Sequence, residues 1–224
     1  MPNASGFTFD PAHADLMRTD LEWRVVFARD FLGFTDEDGA TLNSVKSIVA
    51  PLVEPIVDSV YVHLFQFDYT KASFLKRNAG FKGEHATSLD KLNLDDPQIA
   101  FRKTFLKTYV TKLFSSDYTS FTTFQYLHKV AIMHTGAPGF KHRENKDPLV
   151  VQLQPMALLL GWVSNIVIQA VVGLPEDVED AERKSKILTA FNKIIWIQND
   201  LFNMEYARTP EQLAAATKAK QEEQ

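Results

Sequence analysis

Tyr126-Leu-His-Lys-Val-Ala-Ile-Met-His134-Thr-Gly-Ala-Pro-Gly-Phe140 is the stretch on which the reading of this chain turns. Its first half is apolar at helical spacing, and Gly136, Pro138 and Gly139 then stop the helix and open a loop. His134 therefore stands in the last turn of a helix, where the departing chain leaves room for a bulky ligand. A neutral imidazole placed there can hold one metal atom in an otherwise oily pocket. His128 lies on the same helix, six residues earlier, so the two rings point about 120° apart. Leu127, Val130 and Ala131 flank His134, while Phe121, Phe124 and Ile132 flank His128. Periodicity alone does not choose between the two, and a buried histidine that is simply hydrogen-bonded accounts for either.

Working outward, the chain reads as helices with almost no strand signal. Residues 12 to 32 form an amphipathic pattern through Leu16, Leu21, Val25, Phe27, Phe31 and Leu32, ended by Gly33. Thr35-Asp-Glu-Asp38 is a capping box that opens a second helix, to about Val49. Pro51 and Pro55 break it and start a third, through Ile56 to Phe65. A short turn or helix over 69 to 77 and a loop over 78 to 96 follow. Helices are then predicted over 98 to 114, 118 to 135 (capped by Ser115-Ser-Asp117), 149 to 173 and 177 to 206. The last two are divided by Pro175 and the acidic pair Glu176-Asp177. The result is one all-α domain of about eight helices, over residues 12 to 206. An extension over 1 to 11 precedes it, and a tail over 207 to 224, rich in Ala, Lys, Glu and Gln, follows it.

Composition narrows the function. A chain of 224 residues with 45% hydrophobic and 23% charged residues is that of a globular domain. Its net charge of −4 argues against a nucleic-acid partner, which needs a basic face. The 17 phenylalanines supply a core that can pack on itself or wrap a flat aromatic ligand. The absence of cysteine excludes disulfides, thiolate metal sites and cysteine nucleophiles. The start, Met1-Pro-Asn-Ala-Ser-Gly, carries no secretory pattern, and the expected compartment is the cytoplasm. Met156 to Leu174 is uncharged and long enough to span a bilayer, but Gly161, Ser164, Asn165 and Gln169 suit a packed helix, so no membrane span is expected. There is no Gly-rich phosphate loop after a strand, no Gly-x-Ser-x-Gly elbow and no His-Glu-x-x-His pair. Of the six histidines, His13, His85 and His142 fall in polar or weakly structured stretches.

Three stretches, in their order and spacing, carry a family resemblance. They are Phe31-Leu-Gly-Phe-Thr-Asp-Glu-Asp38, Pro55-Ile-Val-Asp-Ser-Val-Tyr61-Val-His-Leu-Phe-Gln-Phe-Asp68 and Val130-Ala-Ile-Met-His134-Thr-Gly. With Gly161-Trp162 in the penultimate helix and a last long helix ending near Tyr206, they resemble the protoglobin and globin-coupled sensor family, a haem-binding branch of the globins. The resemblance implies a globin fold with an additional N-terminal helix and a haem b cofactor with its iron. It implies that His134 is the axial metal ligand and that Tyr61 lies across the haem as a hydrogen-bond donor to the gas ligand. The helix over 98 to 114 becomes the distal wall, with Phe105 favoured against the ligand and Phe101 and Tyr109 beside it. Where some protoglobins carry a tryptophan next to the distal tyrosine, this chain carries Val60, a departure that bears on pocket shape. Lys141 and Arg143 are candidates for pairing with the haem propionates, against the simpler reading of an exposed basic loop.

The function so implied is reversible binding of dioxygen, carbon monoxide or nitric oxide, for sensing or scavenging. By the same resemblance the last two long helices form a homodimer, and any signal passes to a separate partner. Two alternatives stay open: a haem-free helical interaction module that kept the fold, and a haem enzyme such as a nitric oxide dioxygenase or peroxidase. The reading favours a gas binder over an enzyme, because no acid/base pair is evident near the distal site.

Overall fold

The computed structural model describes residue 6 and residues 9–78, 80–137 and 149–207. Seven helices of nine residues or more organise the described residues: α1 (Leu21–Leu32), α2 (Asp36–Ser44), α3 (Val53–Leu64), α4 (Pro97–Leu113), α5 (Phe121–His134), α6 (Leu153–Val172) and α7 (Ala181–Tyr206). Short helical turns lie at Leu16–Thr19, Lys46–Val49 and Asp68–Lys71. The only β pairing among the described residues is an isolated bridge between Thr135 and Val150. The chain is all-α, as its periodicity predicts.

Most boundaries follow local chemistry. Gly33 ends α1 in the left-handed region at φ 63°, which glycine adopts without a Cβ penalty. Thr35 and Asp38 cap α2 reciprocally, each side chain accepting from the other's backbone N–H.

Elsewhere the structure moves an expected boundary. The helix predicted over 12 to 32 is interrupted at Asp20, whose extended backbone lets its carboxylate cap Trp23 N–H at 3.0 Å. The second helix breaks at Val45 (ψ 8°) and ends in 3-10 turns to Leu52, so α3 begins at Val53, with Pro55 inside its first turn, where no amide partner is needed. Ser120, not the 115–117 segment, caps α5; Asp117 instead binds Thr119 N–H in a local turn. Asp180 caps α7, four residues beyond Glu176.

The last helix is the axis of the packing. α7 lies against α1, α2, α5 and α6 and buries Ile187, Ala190, Ile194, Ile197 and Leu201 almost completely. Leu42 of α2, Val57 of α3, Ile99 of α4 and Ala131 of α5 join the same core. Each fully buried Leu or Ile side chain contributes about 1.5–3 kcal/mol. Polar ties fix the outer helices. Arg24 of α1 grips Asp200 of α7 with Nε at 2.6 Å, and Lys193 of α7 donates to the Gly33 carbonyl at 2.7 Å and pairs with Asp38 at 2.9 Å. By length and composition α6 and the stretch Lys46–Leu64 are each apolar enough to cross a membrane. In this fold α6 turns Met156, Leu160, Val167 and Val171 into the core.

Candidate functional site

Between α3, α4, α5, α6 and α7 lies a cavity of about 470 Å³. Its walls are overwhelmingly apolar: Leu64 from α3, Leu106 from α4, Met133 from α5, Leu159 and Val163 from α6, and Phe74 from the turn after α3. A concave apolar space with a few convergent polar groups is the usual form of a small-molecule site.

Two of those polar groups are the ones the sequence reading singles out. His134 reaches the cavity from the last turn of α5. Its Nδ1 lies 2.7 Å from the Val130 carbonyl, one turn back. A carbonyl can only accept, so Nδ1 carries the proton and the neutral ring keeps its lone pair on Nε2, the form required of a metal-ligating imidazole. The ring stands edge-on to Phe202 of α7, with centroids 5.5 Å apart. His128, the rival on the same helix, turns away from the cavity. Its Nε2 donates to Glu205 Oε1 at 2.6 Å, and the glutamate is buried.

Tyr61 enters from α3, buried at 6% exposure, with its ring 5.5 Å from Phe74. Tyr109, Tyr118 and Tyr206 all spend their hydroxyls on hydrogen bonds within the protein. The Tyr61 hydroxyl meets no hydrogen-bond partner among the described residues, whereas a tyrosine that serves only the core usually bonds its hydroxyl to the protein. Burial pushes its phenol up to about 12, against a smaller opposite pull from the nearby Arg102 charge.

The remaining candidates divide. Val60, Phe105 and Tyr109 line the cavity with Tyr61 and His134, and Phe105 is half exposed at its rim. Phe101 is not part of the wall; its ring packs tilted against Phe81 and edge-on to Phe105, with centroids 5.7 and 5.0 Å apart. The cause is register, since one helical turn on α4 separates a wall residue from one that supports it. The Tyr109 hydroxyl donates to Gln198 Oε1 at 3.2 Å, and burial pushes its phenol up. Lys141 and Arg143 lie outside the described residues.

Sequence reasoning missed two residues. Arg102 is a buried cation on the cavity wall, held by the Lys76 carbonyl at 2.7 Å and lying over the Phe74 ring. Gln198, fully buried, joins Tyr109 to the Leu127 carbonyl at 3.3 Å. An arginine amid the apolar positions of α4 was a visible signal for the first; the second has no local signature.

The donor set says what the cavity can hold. Among the described residues no cluster of three or more His, Asp or Glu forms, and a bare ion held by protein alone needs several such ligands. One imidazole in an apolar chamber suffices when a macrocycle supplies the other donors. His134, the Tyr61 side chain and the apolar volume therefore fit a haem. The family model for Protoglobin matches residues 22–212. A comparison with curated proteins finds no match.

Proposed function

The chain belongs to the protoglobin family, and from that footing we propose that it is a haem b protein that reversibly binds a diatomic gas, dioxygen, carbon monoxide or nitric oxide, in sensing or scavenging. The family makes it a globin-type haem and gas binder. One observation carries it: His134 and Tyr61, whose hydroxyl has no partner among the described residues, share a single apolar cavity. Haem, when bound, supplies an iron with an open position for a small ligand.

The chain's own residues do the rest. His134 would hold the metal through Nε2, with Nδ1–H tied to the Val130 carbonyl so that the ring presents one tautomer. Tyr61 keeps a hydrogen-bond donor in a space where it has no competing protein acceptor among the described residues. Like any phenol it is protonated at neutral pH, and burial moves its titration further up. Val60 and Phe105 shape the chamber around that donor, and Tyr109 is held in place by Gln198. Arg102 offers a buried positive charge suited to a haem carboxylate.

The same proposal places one domain over residues 12 to 206, in the cytoplasm, and a homodimer through α6 and α7. Leu158, Ile168 and Val172 stand exposed along one face of α6, around Gly161, where an added Cβ would meet nothing within 4 Å. Trp196 is exposed on α7. Large exposed apolar residues on adjoining helices support self-association. Passage of a signal to a separate partner completes the reading.

The test is an absorption spectrum. Purified protein loaded with haem is expected to show the Soret band of a histidine-ligated haem, and His134→Ala to lose it. A wild type without that band overturns the proposal.

A further inference from the structure

The last turns of α7 carry Gln198, Phe202, Glu205 and Tyr206, spaced so that they share one face of the helix. All four meet α5. Gln198 donates to the Leu127 carbonyl at 3.3 Å. Phe202 places its ring edge-on to the His134 ring at 5.5 Å. Glu205 accepts from His128 at 2.6 Å. The Tyr206 hydroxyl reaches the His134 carbonyl at 3.2 Å and also the Val151 carbonyl.

These contacts fall where a helix is weakest. The last four carbonyls of an α-helix lack partners within it, and the final turn frays unless something outside takes them up. His134 is the last residue of α5, so its carbonyl is one of these. Here it accepts from Val151 N–H at 2.9 Å as well as from Tyr206. At the same time His128, about 120° around the helix, is tied to Glu205. A helix held at two azimuths, with its terminal carbonyl engaged, is restrained both from rotating and from unwinding.

We propose that Phe202, Glu205 and Tyr206 are positioning residues for His134. By fixing the rotation and the depth of the last turn of α5, they set how firmly the imidazole holds the haem iron. The inference rests on the haem-binding reading above. Groups behind a metal-ligating histidine fix its orientation and its hold on the metal, and their removal commonly costs about ten-fold or more in affinity.

The decisive variant is Tyr206→Phe in the full chain, compared with Tyr118→Phe. The second removes another tyrosine hydroxyl-to-carbonyl contact, from Tyr118 to the Leu113 carbonyl at 2.6 Å, near the opposite end of α5. Two properties are read on the haem-loaded proteins: the iron–histidine stretching band in the ferrous resonance Raman spectrum, and the rate of haem loss to an excess of an acceptor globin. Tyr206→Phe is expected to shift the band and speed haem loss about ten-fold. Tyr118→Phe is expected to lower thermal stability but to leave both properties at wild-type values. Phe202→Leu, which keeps apolar volume in place of the ring edge, is expected to shift the band as well, and decides the matter if Tyr206→Phe does not fold. A loaded wild type whose band and haem loss are unchanged in both Tyr206→Phe and Phe202→Leu, or changed equally by Tyr118→Phe, overturns this inference alone. A wild type that takes up no haem overturns the proposed function, and this inference with it.

Discussion

Nε2 of His128 lies 2.6 Å from Oε1 of Glu205, and the pair joins α5 to α7 inside the protein. That contact separates two histidines of one helix into two kinds. One is consumed in holding helices together, and the other faces a cavity. The two alanine variants are therefore expected to fail in different ways. His128→Ala removes the ring that donates to the buried Glu205 and is expected to lower stability by about 1–3 kcal/mol in urea unfolding, while the haem spectrum survives. His134→Ala loses the spectrum and leaves most of the stability. Equal loss of spectrum in both variants would count against this division.

Tyr61 gives a prediction with a pH signature. Tyr61 lines the cavity and its hydroxyl has no protein partner among the described residues, so deleting the hydroxyl leaves no protein group unpaired. Tyr61→Phe is thus expected to change the stability of the haem-free protein at neutral pH by less than about 1 kcal/mol. Burial holds the phenol at about 12 in the folded chain, against about 10 when unfolded. The folded state therefore binds this proton more tightly. The stability this confers is complete below pH 10 and is lost as pH rises through 12, a fall of about 2–3 kcal/mol from this one group. Unfolding free energies of wild type and Tyr61→Phe between pH 9 and 12 check it: the variant should lose stability less steeply. Parallel curves would mean that the phenol is not desolvated.

Gly39 sets two effects against each other. It sits within α2, where alanine is favoured over glycine by about 1 kcal/mol. An added Cβ, however, would lie 2.6 Å from the Cβ of Tyr118, the rigid root of that side chain. Overpacking of that kind costs about 1–3 kcal/mol, so the clash wins. Gly39→Ala is expected to lower the melting temperature, whereas propensity alone would raise it.

Leu158 is 76% exposed on the uncharged outer face of α6. If that face pairs with a second copy, Leu158→Glu buries a charge without a partner and separates the subunits. Sedimentation is expected to show a wild-type dimer and a monomeric variant, both able to take up haem. A monomeric wild type would remove the dimer from the proposal.

Much of the architecture was legible because its causes are local. Gly33, the Thr35–Asp38 box and the apolar periods of α3 and α6 each act within a few residues, and the structure keeps them. The misplaced boundaries also have local causes, but competing ones. Asp20 can continue a helix or cap one, and only the packing of α1 onto α7 decides. Which histidine faces the cavity was not legible from periodicity, because the group that occupies His128 lies 77 residues away. The order of segments in the family pointed to His134; the chemistry that separates the two is visible only in space. Phe101 and Phe105 show the limit of register, since both satisfy the helical pattern and only Phe105 reaches the wall.

Lys193 spans from α7 back to Gly33 and Asp38, across 160 and 155 residues of chain, and Arg24 is bound to Asp200 across 176. Contacts between such distant parts of a chain cannot form until both have left the ribosome, and they close late in folding. Of the described helices, α7 is the last to be synthesised, and it carries Phe202 and the residues that engage His134. A nascent chain thus displays its imidazole well before the wall behind it exists. Cofactor capture during synthesis would meet a half-built chamber, so the order of translation itself favours acquiring the cofactor only after the final helix has docked.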